Sequence, residues 1–278
     1  MFGLALVFIS SIFGEAGASV GKREISLQKE TVYSLGFLSL LWGTAFFFAY
    51  ALATSSAFIF DFASLPFFLT RVVFEIGVAY CMVHAVALAD RSTFGLLRIL
   101  TLPFLILVDL ALGYTLGSTQ IVGISVIAVG LVILFMNHGI KRQGAYYVVC
   151  GALLAVITIS LYKYDITHYN SVSAEQGVMG VVIMTFYYLM ARIVLHENPF
   201  RLLRNPTIFI QSLVCGVGQV FLSFAYLFAP ASVIATANRS FNALASLIAG
   251  DIYFNEKHIL VKSIAFVIMA VGIILLAL

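Results

Sequence analysis

Charge is what this sequence has least of. Only 10% of its 278 residues are Asp, Glu, Lys or Arg, where a soluble domain carries about a quarter. With 62% hydrophobic residues and a mean hydropathy of +1.09, the chain lacks the polar surface a soluble fold needs. Cysteine is scarce as well. Cys81, Cys150 and Cys215 lie in apolar runs without metal spacing or a disulfide pattern, and read as packing residues. The net charge of +3 gives no reason to expect a nucleic-acid partner. No basic segment precedes the first apolar run, which is therefore expected to span a membrane rather than be cleaved. Catalytic signatures are missing too. Without His-Glu-x-x-His, a nucleophile elbow or an Asp-rich metal–pyrophosphate cluster, metal hydrolysis, acyl transfer and prenyl transfer lack their groups. Without a P-loop, ATP is not the direct energy source. Neither a cofactor nor a metal is expected.

What is present is apolar sequence in helix-length blocks. Runs and breakers predict helices at roughly 2–22, 31–53, 65–88, 92–112, 118–137, 144–164, 174–195, 207–228, 231–252 and 258–277. Lys and Arg then fall on alternate connections: Lys22, Arg23 and Lys29; Arg91; Lys141 and Arg142; Arg201 and Arg204; Lys257. The positive-inside rule puts those connections in the cytoplasm and both termini outside. The expectation is a multi-pass protein of the cell (inner or plasma) membrane with the lipid bilayer as its main surroundings.

An internal repeat divides the chain into 1–137 and 144–278. Ala128-Val129-Gly130-Leu131-Val132-Ile133-Leu134 matches Ala270-Val271-Gly272-Ile273-Ile274-Leu275-Leu276, and the same spacing aligns Asp109 with Asp251. Five spans per half is odd, so the second half enters the membrane inverted, an arrangement of transporters with a site between the halves. The expected fold is an all-α integral membrane protein of ten transmembrane helices in two inverted five-helix repeats. The closing pattern Ala229-Pro230-Ala231-Ser232-Val233-Ile234-Ala235-Thr236-Ala237, with Phe254-Asn255-Glu256 and the Gly-rich stretch Ile264 to Leu276, resembles the EamA-type drug/metabolite transporters. Two features depart from that pattern. Leu112-Gly113-Tyr114 has Tyr where a Glu is expected, and the family is commonly drawn with cytoplasmic termini.

Ionisable residues inside spans are the site candidates, because each is costly in hydrocarbon unless paired, wetted or protonated. In the first helix Ser11, Glu15, Ser19 and Lys22 form one polar stripe. Gly14-Glu15-Ala16-Gly17 with Lys22 also resembles the first helix of small multidrug resistance proteins. That resemblance implies that Glu15 takes a proton or a cationic substrate. Aligning Gly151 with Gly3 puts Lys163 opposite Glu15, so the two are expected to pair or to bind the ends of a zwitterion; snorkelling of Lys163 beside Asp165 is the alternative. Arg98 is predicted in the fourth span. Asn238, Asn242 and Ser246 form a stripe beside Arg239 in the ninth, and Gln219 follows two glycines in the eighth. Trp42 is the candidate aromatic wall. Arg71 and Glu75 are spaced to satisfy each other, and His84 is either a titrating group or a packing residue.

The reading is a secondary transporter, not an enzyme, moving a small zwitterionic or polar metabolite by alternating access. Proton coupling through Glu15 is expected, and a homodimer is left open. The alternative is a cationic drug/metabolite proton antiporter. From another class, an intramembrane enzyme is weaker: Tyr164-Asp165 resembles the first presenilin-type aspartyl protease motif, but Gly216-Val217-Gly218-Gln219 carries an amide where the second carboxylate belongs. A non-transporting scaffold would not require these buried charges.

Overall fold

Inside a bilayer the backbone must satisfy its own polar groups, and helices do so within one segment. The computed structural model describes residues 2–54, 58–105, 118–136, 142–229 and 231–277, and no strand occurs among them. The helices are α1 (Phe2–Ser26), α2 (Val32–Ala53), α3 (Leu65–Leu88), α4 (Arg91–Leu97), α5 (Ser118–Met136), α6 (Arg142–His168), α7 (Val172–Ile193), α8 (Pro199–Leu202), α9 (Pro206–Ala225), α10 (Ala231–Ile252) and α11 (Ile259–Ala277). A 3-10 turn, Arg98–Leu100, carries α4 into helical residues 101–105. Asp109 and the Leu112-Gly113-Tyr114 motif lie outside the described residues.

Six segments are long and apolar enough to cross a bilayer: α1, α2, Phe62–Leu88, Gly144–His168, α7 and α9. Ile121–Ile133 and Ile259–Leu275 are shorter apolar stretches. Large apolar side chains such as Val73, Ile193, Leu260 and Val267 stay exposed on helix surfaces, a coat that suits lipid and not water. This is an all-helical, multi-pass membrane protein. The polar residues of α10 keep its hydropathy below that of the six.

Local chemistry sets the helix ends. Thr31 and Ser171 accept from the amides of Ser34 and Ala174 at the starts of α2 and α7, while Asn205 caps α9 ahead of Pro206, as N-cap and N1 preferences dictate. The turns after α1, α7 and α10 run through Gln28, His196 and Asn255 in the left-handed region. These three turns share one end of the molecule with the basic connections, called here the basic end.

The helices pack in antiparallel pairs: α1 on α9, α3 on α6, α5 on α11, α2 on α7 and α4 on α10. Small residues permit the closest approaches. A Cβ on Gly17 would meet Cys215 Sγ at 2.3 Å, and one on Gly218 would meet the Gly14 backbone nitrogen at 3.1 Å.

Candidate functional site

The polar stripe of α1 does not face lipid. It docks on α4 and α10. Arg91, the first residue of α4 and 1% exposed, grips Glu15 in a two-pronged ion pair, Nε to Oε1 at 3.0 Å and Nη2 to Oε2 at 2.7 Å. Ser19 donates to Glu15 Oε1 at 2.8 Å, Ser11 donates to Asn238 Oδ1 at 3.3 Å, and Lys22 donates to the Ala89 carbonyl. Such forked, desolvated pairing is the geometry for which arginine suits a carboxylate better than lysine does.

Helix α4 is anchored from a distant part of the chain. Glu256, in the turn between α10 and α11, accepts from the Arg91 amide at 2.5 Å, from the Ser92 amide at 3.3 Å and from the Ser92 hydroxyl. Lys262 donates to the same carboxylate at 3.1 Å. Burial alone would raise the Glu256 carboxyl, but the Ser92, Lys262 and Arg91 contacts hold it below its ordinary value. The start of α4 therefore sits at the end of α10. One turn on, a Cβ at Gly95 would strike Ser246 and approach the Ala243 Cα at 3.0 Å. With the helices antiparallel, the next turn brings Arg98 level with Arg239 and Asn242. The Phe94 ring lies between Arg91 and Arg98, at 4.8 and 5.2 Å from their guanidinium carbons.

A second buried cluster closes the other end. Arg71 Nη1 meets Glu175 Oε1 at 2.6 Å, and Asn170 donates to Glu175 Oε2 at 2.7 Å and to Ser64 Oγ at 3.0 Å. Asn170 Oδ1 accepts from the Asp61 amide at 2.9 Å. The Arg71 guanidinium also covers the Tyr162 ring at 4.6 Å. Asp165 is fully buried nearby, and neither of its carboxylate oxygens has a hydrogen-bond partner among the described residues.

Below this cluster lies a cavity of about 280 Å³ between α1, α2, α3, α7 and α9. Its polar lining comes from Glu75, Gln176, Gln219 and Ser39, and its apolar walls include Tyr187 and Met179. Glu75 is one helical turn beyond Arg71, and Gln176 follows Glu175 in sequence, so the Arg71–Glu175 pair lies at one limit of the cavity. Toward the basic end are three further carboxylates. Thr31 and Ser34 donate to Glu197. Glu30 is 3% exposed, with neither oxygen hydrogen-bonded among the described residues. Burial, with Glu197 and Glu24 adding repulsion, pushes Glu30 up to about 8.

The sequence candidates separate in space. Glu15 is buried, but its cationic partner is Arg91 and not Lys163, which donates to the Tyr226 carbonyl at 2.7 Å. That carbonyl caps the end of α9, where helix acceptors are left free. Arg71 pairs with Glu175 across helices, leaving Glu75 to the cavity. Arg98, Arg239, Asn238 and Asn242 gather between α4 and α10, with Asn242 donating to Asn238 at 2.6 Å. Gln219 lines the cavity. Trp42 does not. Its indole donates to Ser212 at 2.9 Å, and it lines an apolar groove with Phe46, Phe221 and Phe224. His84 packs between Tyr80 and Tyr147 with Nδ1 on the Tyr80 carbonyl, and Asp251 is exposed at the end of α10.

Sequence reasoning missed Arg91 and Glu175 as site residues: Arg91 reads as a connection residue, and Glu175 lies at the first turn of the predicted 174–195 span, where no partner marks it. The signal for Arg91 was its place on a basic connection at the same membrane side as the Lys22 end of the α1 polar stripe. Compared with known proteins, the chain matches no family model and no curated sequence.

Proposed function

We propose that the protein is a secondary transporter moving a small polar or zwitterionic organic solute by alternating access, as the resemblance to EamA-type drug/metabolite transporters implies. The carrying observation is the cavity. It is bounded by α1, α2 and α3 from the first half and by α7 and α9 from the second, and it carries one carboxylate and two amides among apolar walls. That is the composition of a small-molecule site at a repeat interface. Glu75 holds the cationic end of the solute, while Gln176 and Gln219 hydrogen-bond its polar groups. The buried Arg71–Glu175–Asn170 network is the closed gate at one end.

Inverted duplication of two five-helix halves is part of this reading, and packing supports it. Exchanging α1 with α6, α2 with α7, α3 with α9, α4 with α10 and α5 with α11 turns the set of helix pairs into itself. The α5–α11 contact is reciprocal at residue level. Gly130 abuts Ala265 and Met269, while Gly272 abuts Gly123 and Ile127; one sequence offset relates Gly130 to Gly272, Gly123 to Ala265 and Ile127 to Met269. By the positive-inside rule the basic end faces the cytoplasm, with both termini outside.

Glu15 is the proposed coupling group. A proton on it would release Arg91 and loosen α1 from α4, giving the halves a charge-controlled latch. In proteoliposomes, Glu15→Gln is expected to abolish accumulation driven by a proton gradient while sparing exchange of solute down its own gradient. Glu75→Gln is expected to lose both. Unchanged proton-driven uptake in Glu15→Gln would end the coupling proposal, and unchanged uptake in Glu75→Gln would remove the cavity from the pathway.

A further inference from the structure

Around α4 the described cations outnumber the described anions. At the start of α4, Glu256 and Asp90 are paired with Lys262; further along, Arg91, Arg98 and Arg239 share Glu15, and Arg91 already occupies both of its oxygens. The Arg98 guanidinium feels repulsion from Arg239 and Arg91 and, among the described carboxylates, attraction from Glu15. Arg239 is 3% exposed, and its Nε and Nη1 have no hydrogen-bond partner among the described residues; Arg98 Nε has none there either. Arginine does not shed its proton to escape burial as lysine or histidine does. The buried Arg239 and the half-buried Arg98, held level by the α4–α10 register, are therefore an uncompensated positive pair among the described residues.

The surroundings favour a ligand over mutual tolerance. Phe94 offers its π face to Arg98 from one side only, and Tyr226 lies close enough to Arg239 and Arg98 to feel both charges. Asn242 stands at the same level and uses its amide nitrogen on Asn238, so its carbonyl oxygen is no donor to an anion. Arg98 is half-buried, so a water-sized probe reaches part of it, whereas Arg239 is closed off. The N–H groups left without an acceptor there are Arg98 Nε and Arg239 Nε and Nη1.

We infer that Arg98 and Arg239 bind a small oxyanion, a carboxylate or phosphate group, between α4 and α10. The site stands apart from the Glu75 cavity and does not rest on the transport reading. Guanidinium forks match carboxylate and phosphate oxygens in spacing and plane, which favours an oxyanion over a halide. Bound there, the anion would tie α4 to α10 as Glu15 ties α1 to α4.

The test is thermal unfolding of the purified full chain in detergent, titrated with sodium phosphate, sodium acetate or sodium chloride. Phosphate or acetate is expected to raise the Tm of the wild type saturably by several degrees, as ligand linkage requires. Arg98→Gln and Arg239→Gln should lose that rise, and Arg239→Lys should keep part of it. Arg239→Gln should also match or exceed the wild type in anion-free buffer, where the unpaired charge is a liability. Because a variant can fail to fold, anomalous scattering from selenate in wild-type crystals supplies a second reading, with a peak expected between the two guanidiniums. An equal shift in wild type and variants, a response to chloride alone, or selenate absent from that gap would overturn the inference.

Discussion

The two buried charge clusters are built from the same residue types and balance in opposite directions. At the α3–α6–α7 end, Arg71 faces Glu175 and Asp165, a surplus of carboxylate. Around α4, Glu15 faces Arg91, Arg98 and Arg239, a surplus of guanidinium. A surplus carboxylate can be neutralised by taking up a proton, to an extent set by pH. A surplus guanidinium cannot be neutralised by losing one, so it needs an anion or a wet, π-rich niche. The two ends of one polar core therefore answer to different solution variables, pH and anion concentration.

Removing a paired member should have the largest effect. Arg71→Ala leaves Glu175 and Asp165 buried without a cation and is expected to cost about 3–5 kcal/mol, read as a drop in Tm of the purified protein; a loss below about 1 kcal/mol would show the pair to be wetter than its burial implies. Next is Glu30, a surplus carboxylate at the basic end whose folded value of about 8 lies above its ordinary 4.5. Its burial carries no penalty below the ordinary value, and the penalty grows as pH rises through the range between the two. Stability should thus fall from about pH 4.5 to 8 and level off above. Glu30→Gln should flatten that slope and gain up to about 5 kcal/mol at pH 9; an unchanged pH profile would mean that Glu30 has found a cation.

Glu256 gives the opposite sign. Its carboxyl is held below its ordinary 4.5, so its contribution is complete above that value and is lost as pH falls through the lower folded value. Glu256→Gln is expected to cost about 1–3 kcal/mol at pH 7, with amide exchange fastest to rise at Arg91 and Ser92. Equal protection there in both proteins would remove Glu256 as the α4 anchor. Smallest is Asp165→Asn. If a proton already neutralises the surplus at that end, the amide should change stability by less than about 1 kcal/mol, whereas Arg71→Gln in the same assay should not be tolerated.

Much of the architecture was legible because hydropathy and punctuation report it directly. The predicted 65–88 and 231–252 match α3 and α10 residue for residue, since Pro66 and the polar residues around Asp90 and Asn255 mark their ends. Helix α6 runs from Arg142 to His168, longer than the predicted 144–164, because its last turn is polar yet still packed on the Arg71 cluster. The polar stripe of α1 was legible from spacing, and so was the Asn238–Asn242 stripe. Partner choice was not. Periodicity says which residues share a face, but only packing says that Glu15 meets Arg91, that Arg71 passes over Glu75 for Glu175, or that Trp42 turns to Ser212 and the apolar groove. Symmetry put Lys163 opposite Glu15, yet a lysine at that level finds a helix-end carbonyl within reach, which needs no second ionised group.

Alternating access through the Glu75 cavity is tested most directly by side-specific labelling. In a variant with Cys81, Cys150 and Cys215 replaced, a single cysteine at Gln219 is exposed to a membrane-impermeant thiol reagent from either face of oriented vesicles. The account predicts labelling from the basic face at rest and labelling from the opposite face when a proton gradient is imposed. Labelling from one face alone under every condition would contradict it.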